Sequence, residues 1–167
     1  MTTIATDGKI LVADTQMTEG DVSQNYQGKL RKINGDLVGG AGSADNVALF
    51  FSWYENPEQK PPRLNGQFGG IVVSEDGLIY RYTSRLIPHR VDEPFYAIGS
   101  GAPIALGAME AGANPEEAIK IACKRDIYTG RGIIIIERDD AKQRRKLPKK
   151  SGVRARGGVR KGQKRKS

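Results

Sequence analysis

The sequence contains one cysteine, one histidine and no long apolar run, and each of these features argues against a class of protein. With Cys123 alone, the chain cannot form an internal disulfide or an all-cysteine metal site. The single histidine, His89, lies in a predicted surface loop with no acid or nucleophile patterned around it. Catalytic sets of the Ser-His-Asp or Cys-His kind are therefore not indicated. No apolar run approaches the roughly 18 residues of a membrane-spanning helix.

Acidic residues are missing from one end of the chain. The net charge is +8, yet 13 of the 27 Lys and Arg lie in residues 141–167, which contain none of the 19 Asp and Glu. Residues 1–140 therefore carry a net charge of −5. We expect one folded domain over residues 1–140 and a disordered basic tail over 141–167. The tail could be a solubilising segment or an arm for nonspecific nucleic-acid binding, and it has no aromatic residues for base stacking.

The first fourteen residues predict a tight hairpin that begins at the second residue. β-Branched residues precede the Asp7-Gly8 turn signal, and the apolar run of residues 10–13 follows it. No basic or apolar leader precedes the hairpin, so we expect no signal peptide and a reducing, cytoplasmic setting. If Met1 is removed, Thr2 carries a hydroxyl together with an α-amine of pKa about 7.7–8.0, which suits a general base near neutral pH. The alternative is an ordinary edge strand.

A second hairpin is predicted around Asn34-Gly35, with a glycine-rich segment at its end. Strict alternation places Lys32 on the same face as Leu30, so Lys32 is expected to point inward; a solvent-exposed lysine at the strand end is the alternative. Residues 39–42 then lead into a helix that Ser43 can cap. Such a glycine corner could bind a phosphate, donate N–H groups to an oxyanion, or only serve packing.

The remaining segments predict a third hairpin over residues 70–82, a strand that ends before Ser100, two helices and a last buried strand. The second of these helices opens with Asn114 as N-cap, Pro115 at its first position and an acidic first turn. It breaks at Thr129-Gly130. We interpret Cys123 within it as a packing residue. The order of elements suits two sheets with helices outside them.

Six short blocks, taken together and in order, carry a family resemblance across residues 2–137. They are Thr2-Thr3-Ile4, Ala13-Asp14-x-Gln16-x-Thr18-x-Gly20, Lys32-Ile33, Ala41-Gly42-Ser43-Ala44-Asp45, Ala97-Ile98-Gly99-Ser100-Gly101 and Arg125-Asp126-Ile127-Tyr128-Thr129-Gly130. The sequence resembles the proteasome β-subunit family of threonine peptidases, and two blocks are most similar to its bacterial HslV branch. The resemblance implies an α+β fold, the four-layer αββα sandwich of N-terminal nucleophile hydrolases.

The same resemblance implies roles for individual residues of a threonine endopeptidase. Thr2 would be the nucleophile, with its own amine as base, directly or through a water. The other residues implied in catalysis are Asp14 and Lys32 beside Thr2, and Ser100, Asp126 and Thr129 around the amine and an ordered water. Substrate contacts are implied for the backbone of Thr18 and for an oxyanion N–H at Ala41, or alternatively at Gly40. No cofactor is expected to be required, although the backbone carbonyls of Cys123, Asp126 and Thr129 could hold Na⁺ or Mg²⁺.

Partners are implied in the same way: a homo-oligomeric ring, protein or peptide substrates, and an AAA+ unfoldase. The family's second long helix has no counterpart here, because residues 57–69 are too short and too rich in proline. We therefore expect a reduced helix layer, which puts docking of an unfoldase in doubt. Two other functions stay open, a catalytically inactive ring-forming subunit and a nucleic-acid-associated protein that binds through its basic tail.

Overall fold

The computed structural model describes residues 2–139, so the predicted tail and the predicted domain boundary before residue 141 lie outside the described residues. The chain opens with the predicted hairpin, β1 (Thr3–Thr6) and β2 (Ile10–Asp14). Gly8 has φ +79° in the turn between them, a conformation that glycine adopts without strain. Both strands are almost wholly buried, because sheet and helix layers cover their two faces.

Two antiparallel sheets form the centre of the fold. The other strands, in chain order, are β3 (Gln16–Glu19), β4 (Val22–Asn25), β5 (Leu30–Ile33), β6 (Asp36–Gly42), β7 (Phe68–Val73), β8 (Ile79–Tyr82), β9 (Pro88–Val91), β10 (Tyr96–Gly99) and β11 (Ile133–Glu137). The first sheet has the order β10-β1-β2-β11, and the second has the order β5-β6-β7-β8-β9. A separate ribbon of β3 and β4 stands beside them. The predicted Asn34-Gly35 turn is confirmed, with φ of 53° and 92° as a type I′ turn requires.

Helices cover the outer faces of both sheets. They are α1 (Ala44–Glu55), α2 (Ala102–Glu110) and α3 (Pro115–Arg125). The Ser43 hydroxyl accepts the Asn46 N–H at the start of α1, and Asn114 forms a capping box with Glu117 at the start of α3. One apolar core lies between the sheets, a second lies under α1, and a third lies under α2 and α3. The predicted αββα sandwich is confirmed.

The α1 layer is the thinner of the two. Among the described residues, positions 56–67 between α1 and β7 contain no helix, as their length and prolines predicted. Aromatic side chains fill much of the space under α1, where Phe50 packs with Tyr82 and Phe68 at ring-centroid distances of 5.3 and 5.2 Å. No helix within residues 2–139 is long and apolar enough to span a membrane.

Two elements were not predicted. The β3–β4 ribbon is largely polar and partly exposed, so its sequence lacks the alternation that marks a half-buried strand. His89 is exposed as expected, but it lies in strand β9 and not in a loop. β9 is one of the two edge strands of its sheet and begins at Pro88, a position where the missing N–H of proline is tolerated.

Candidate active site

Thr2 lies at the junction of two clefts. The residue is only 6% exposed, and its carbonyl accepts the Ser100 N–H at 3.0 Å, an interaction that continues the pairing of β1 with β10. One cleft of about 330 Å³ runs from Thr2 past Met17 and Tyr26 to the acidic side chains of Glu19 and Asp45. The other, of about 290 Å³, is lined by Thr2, Ala41, Gly42, Gln67, Phe68, Gly99 and Ser100. A peptide that crosses Thr2 would therefore find space on both sides.

Asp14 is a fully buried carboxylate with four hydrogen-bond donors around it. Its Oδ1 accepts the Thr3 N–H at 2.9 Å and the Lys29 ammonium at 3.0 Å. Its Oδ2 accepts the N–H groups of Gln16 at 3.0 Å and Gly130 at 3.1 Å. Each oxygen thus has two partners, which satisfies a carboxylate that no water could otherwise solvate. Asp14 therefore ties together β1, β3, the start of β5 and the loop before β11.

The expectation that Lys32 points inward is wrong, and Lys29 takes the place expected for it. Lys32 is 44% exposed and forms a surface ion pair with Asp139 at 2.9 Å. Strand β5, which contains Lys32, is an edge strand of its sheet. The Lys32 side chain therefore reaches solvent, although alternation assigns it to the same face as Leu30. Lys29, in the turn just before β5, is 3% exposed and lines the larger cleft together with Thr2.

The ammonium of Lys29 makes two hydrogen bonds. It donates to Asp14 and, at 2.6 Å, to the carbonyl of Gln16, which accounts for two of its three N–H groups. Burial lowers the pKa of Lys29 below its ordinary value, and the Asp14 carboxylate opposes that shift. The site therefore places a partly desolvated cation beside the cleft that leads to the Thr2 hydroxyl.

A second polar cluster lies on the other side of β1, where α3 ends. Asp126 Oδ2 accepts the Ser100 hydroxyl at 2.6 Å and the Thr129 hydroxyl at 2.5 Å, and its Oδ1 accepts the Tyr128 N–H at 3.2 Å. Partial burial alone would raise the pKa of Asp126, but these hydrogen bonds outweigh it, so the pKa lies below the ordinary value. The structure therefore brings together the predicted trio of Ser100, Asp126 and Thr129.

The predicted substrate-binding positions line the two clefts. Thr18, in β3, and Gly40 line the larger cleft, and Ala41 lines the smaller one. The Gly40 N–H already donates to the Lys29 carbonyl at 3.0 Å, so it is engaged within the sheet. The Gly40 N–H is therefore already occupied. That the Ala41 N–H binds the oxyanion stays a prediction.

The predicted cation ligands lie at the C-terminal end of α3, which stops at Arg125. The Asp126 carbonyl accepts the Thr129 N–H at 3.1 Å, which leaves it a second lone pair for a cation. Within residues 2–139, no group of three His, Cys, Asp or Glu side chains could hold a metal ion. Cys123 is half-buried and packs with the core under α2 and α3; burial raises the pKa of its thiol.

Sequence reasoning missed two residues of the site, Lys29 and Thr3. A signal for Lys29 exists in the hairpin register, because the pairing of Ile33 with Asp36 also sets Lys29 opposite Gly40, a predicted oxyanion position. Thr3 had no such signal. Its hydroxyl bonds to Thr129 Oγ1, which is 126 residues away in the chain, so only the fold reveals the contact.

Known proteins with similar sequences or folds point to one family. The chain is 32% identical to the ATP-dependent protease subunit HslV of Syntrophobacter fumaroxidans over 162 residues, covering 77% of this chain and 89% of that protein. No protein-family profile matches the chain.

Solved structures agree on the fold. BPH of Thiobacillus denitrificans superposes with a TM-score of 0.61 at 19% identity, covering 83% of this chain and 98% of that one. The structure of BPH in complex with epoxomicin gives 0.61 at 17% identity, covering 83% and 99%. HslV of Trypanosoma brucei gives 0.60 at 23% identity, covering 82% and 99%. With the sequence relationship to HslV, these results mean that the chain belongs to the HslV family of proteasome β-type proteins.

Proposed function

We propose that this chain is an endopeptidase in which Thr2, once it is the first residue, cleaves peptide bonds at the junction of the two clefts. Membership of the HslV family makes it a threonine peptidase of the HslV/proteasome kind. The observation that carries the proposal is the position of Thr2, between a buried Lys29–Asp14 pair and the Asp126 cluster, with a cleft on each side.

In the first half of the reaction, the Thr2 hydroxyl attacks the carbonyl carbon of the substrate. Its proton passes to the α-amine of the same residue, directly or through a water, while the carbonyl oxygen becomes an oxyanion beside the Ala41 N–H. The ammonium of Lys29 favours the developing negative charge on the hydroxyl oxygen. The carbon–nitrogen bond then breaks, the leaving amine takes the proton, and the substrate is left as an ester on Thr2.

In the second half, water hydrolyses the ester. The α-amine accepts a proton from the water as it attacks, and the Thr2 oxygen leaves and regains a proton. Ser100, Asp126 and Thr129 hold the amine and the water in this scheme. Asp14 acts at a distance, since it orients the Lys29 ammonium and the β1 backbone through Thr3.

A substrate strand would lie along β3. The backbone of Thr18, at the middle of that strand, is the proposed partner of an extended peptide, in the manner of an added β-strand. The larger cleft has apolar walls at Met17, Tyr26 and Val47, which could accommodate a substrate side chain.

The assembly and the setting form a further part of the proposal. The HslV relationship supports a homo-oligomeric ring in the cytoplasm that acts on protein or peptide substrates. An AAA+ unfoldase partner is supported less, because residues 56–67 offer no second helix on the α1 layer. A cation such as Na⁺ or Mg²⁺ at the carbonyls of Cys123, Asp126 and Thr129 would stabilise the end of α3, and no chemical step requires it.

The test combines the mass of the purified protein with covalent labelling. We expect a mass that corresponds to a chain beginning at Thr2, and one peptide-epoxyketone adduct per active chain located on Thr2 by peptide mapping. Thr2→Ala should abolish both the adduct and the peptidase activity. The proposal would be contradicted by an active preparation that retains Met1, or by full activity of Thr2→Ala. A folded protein that forms no adduct would favour the inactive ring subunit.

A further inference from the structure

We propose that Thr3 is a positioning residue, whose buried hydroxyl and N–H connect the two polar clusters that flank Thr2. The inference rests on the proposed function of Thr2, because positioning matters only if Thr2 is the nucleophile. It assigns a role to a side chain that is 0% exposed and follows the nucleophile directly in sequence.

The direction of the hydrogen bonds around Thr3 can be deduced from the donors available. Thr129 Oγ1 donates its only proton to the Asp126 carboxylate at 2.5 Å. In its 2.6 Å contact with Thr3 Oγ1, Thr129 Oγ1 must therefore be the acceptor and Thr3 the donor. The Gly101 N–H donates to Thr3 Oγ1 at 2.8 Å. One relay thus runs from Gly101 through Thr3 and Thr129 to Asp126.

The backbone of Thr3 makes the second connection. Its N–H donates to Asp14 Oδ1, the same oxygen that accepts the Lys29 ammonium. Thr3 is therefore linked to Asp14 by its main chain and to Asp126 by its side chain. The Thr2 carbonyl, in the same peptide unit as the Thr3 N–H, accepts the Ser100 N–H, so a rotation of that unit would break the backbone links on both of its sides.

The surroundings of Thr3 leave little freedom for other arrangements. A Cβ placed on Gly101 would lie 2.5 Å from Thr3 Oγ1 and 3.0 Å from Thr129 Oγ1, so glycine allows the close approach of this backbone. Thr129 is 2% exposed, and no solvent can replace a lost partner without a rearrangement. The relay is thus a rigid link, which is what a nucleophile held to within a fraction of an ångström requires.

The same strand provides a matched control. Thr6 is also 0% exposed and also uses its hydroxyl in two hydrogen bonds, donating to the Ile10 carbonyl and accepting the Gly8 N–H. These bonds serve the hairpin turn and touch neither polar cluster. Thr3→Val and Thr6→Val therefore remove the same group from the same strand, with and without a connection to the site.

The experiment measures kcat and KM of the full-length protein on a fluorogenic peptide, together with its Tm. We expect Thr3→Val to lower kcat by roughly tenfold to a hundredfold with KM changed less than about threefold, because the nucleophile is misplaced and substrate contacts are kept. Thr3→Ser should restore kcat to within about threefold of the parent. Thr6→Val should lower Tm by a similar amount with an unchanged kcat.

A folded Thr3→Val with the kcat of the parent would overturn the inference, and so would an equal loss of kcat in Thr6→Val. Should the valine variant fail to fold, Thr3→Ala removes the hydroxyl without adding a methyl group against Gly101, and the same outcomes decide. Thr2→Ala separates the two proposals. If that variant is inactive while Thr3→Val keeps the kcat of the parent, only the positioning role fails.

Discussion

The site contains two carboxylates that the fold treats in different ways. Asp14 is fully buried, is held by three backbone N–H groups and pairs with a single buried ammonium. Asp126 is half-buried and accepts mainly hydroxyl groups, each of which can donate one proton while it accepts another. The first arrangement fixes charge and geometry, and the second suits the handling of protons. The difference suggests that Asp14 matters most for stability and Asp126 most for turnover.

The largest effect is expected at Asp14. Asp14→Asn leaves the Lys29 ammonium buried without its countercharge and points an amide group toward backbone N–H donors. We expect a loss of about 3–5 kcal/mol in the free energy of unfolding, as when one partner of a buried ion pair is removed. Denaturant titration at one fixed protein concentration measures it, because assembly also stabilises the fold.

Asp92 provides the comparison for that measurement. It pairs with Arg90 on the surface, where the side chains are 84% and 58% exposed. Asp92→Asn should change the free energy of unfolding by less than about 1 kcal/mol. Equal effects of the two substitutions would show that the buried network contributes no more than a surface pair.

The second prediction compares the two lysines that lie three residues apart. Lys29→Met should lower kcat by about 10²–10³-fold, the range for loss of a group that stabilises developing negative charge, whereas Lys32→Met should stay within about twofold of the parent. The stability loss of Lys29→Met should be smaller than that of Asp14→Asn. The reason is that burial already disfavours the ammonium, as its lowered pKa shows, and three N–H groups still hold Asp14.

Activity assays and denaturation curves of both lysine variants check this prediction. A Lys29→Met protein with nearly parental kcat would remove the cation from the mechanism. A large loss in Lys32→Met would instead show that its surface pair with Asp139 influences the site.

Much of the fold could be predicted because its signals are local. The Asp7-Gly8 and Asn34-Gly35 turns and the caps at Ser43 and Asn114 each depend on a few neighbouring residues, and each is confirmed. Strand β9 and the β3–β4 ribbon were not predicted because none of their residues is fully buried, so their sequences lack the alternation of apolar and polar residues.

The site was predicted less completely, because burial at a sheet edge depends on more than alternation. Alternation along β5 assigns Lys32 to the inward face, yet its side chain is exposed. Lys29 precedes the strand, and its side chain is buried and reaches Asp14. Thr3 and Thr129 meet only after α3 packs on the first sheet, and no sequence pattern encodes that distance. Hydrogen bonds between distant segments are thus the part of the site that the structure adds.

The smallest predicted effect concerns Asp126 and the pH dependence of the free energy of unfolding. Its folded pKa lies below its unfolded value, so the folded state binds protons less readily than the unfolded chain. This contribution to stability is complete above the unfolded pKa and is lost as pH falls through the folded pKa. Asp126→Asn removes it, so the difference in free energy of unfolding between parent and variant should shrink as pH is lowered through the acidic range. Denaturant titrations at several acidic pH values measure that difference. If that difference stays constant with pH, the hydroxyl groups of Ser100 and Thr129 do not favour the ionised form of Asp126. The two carboxylates, Asp14 and Asp126, would then differ only in how deeply they are buried.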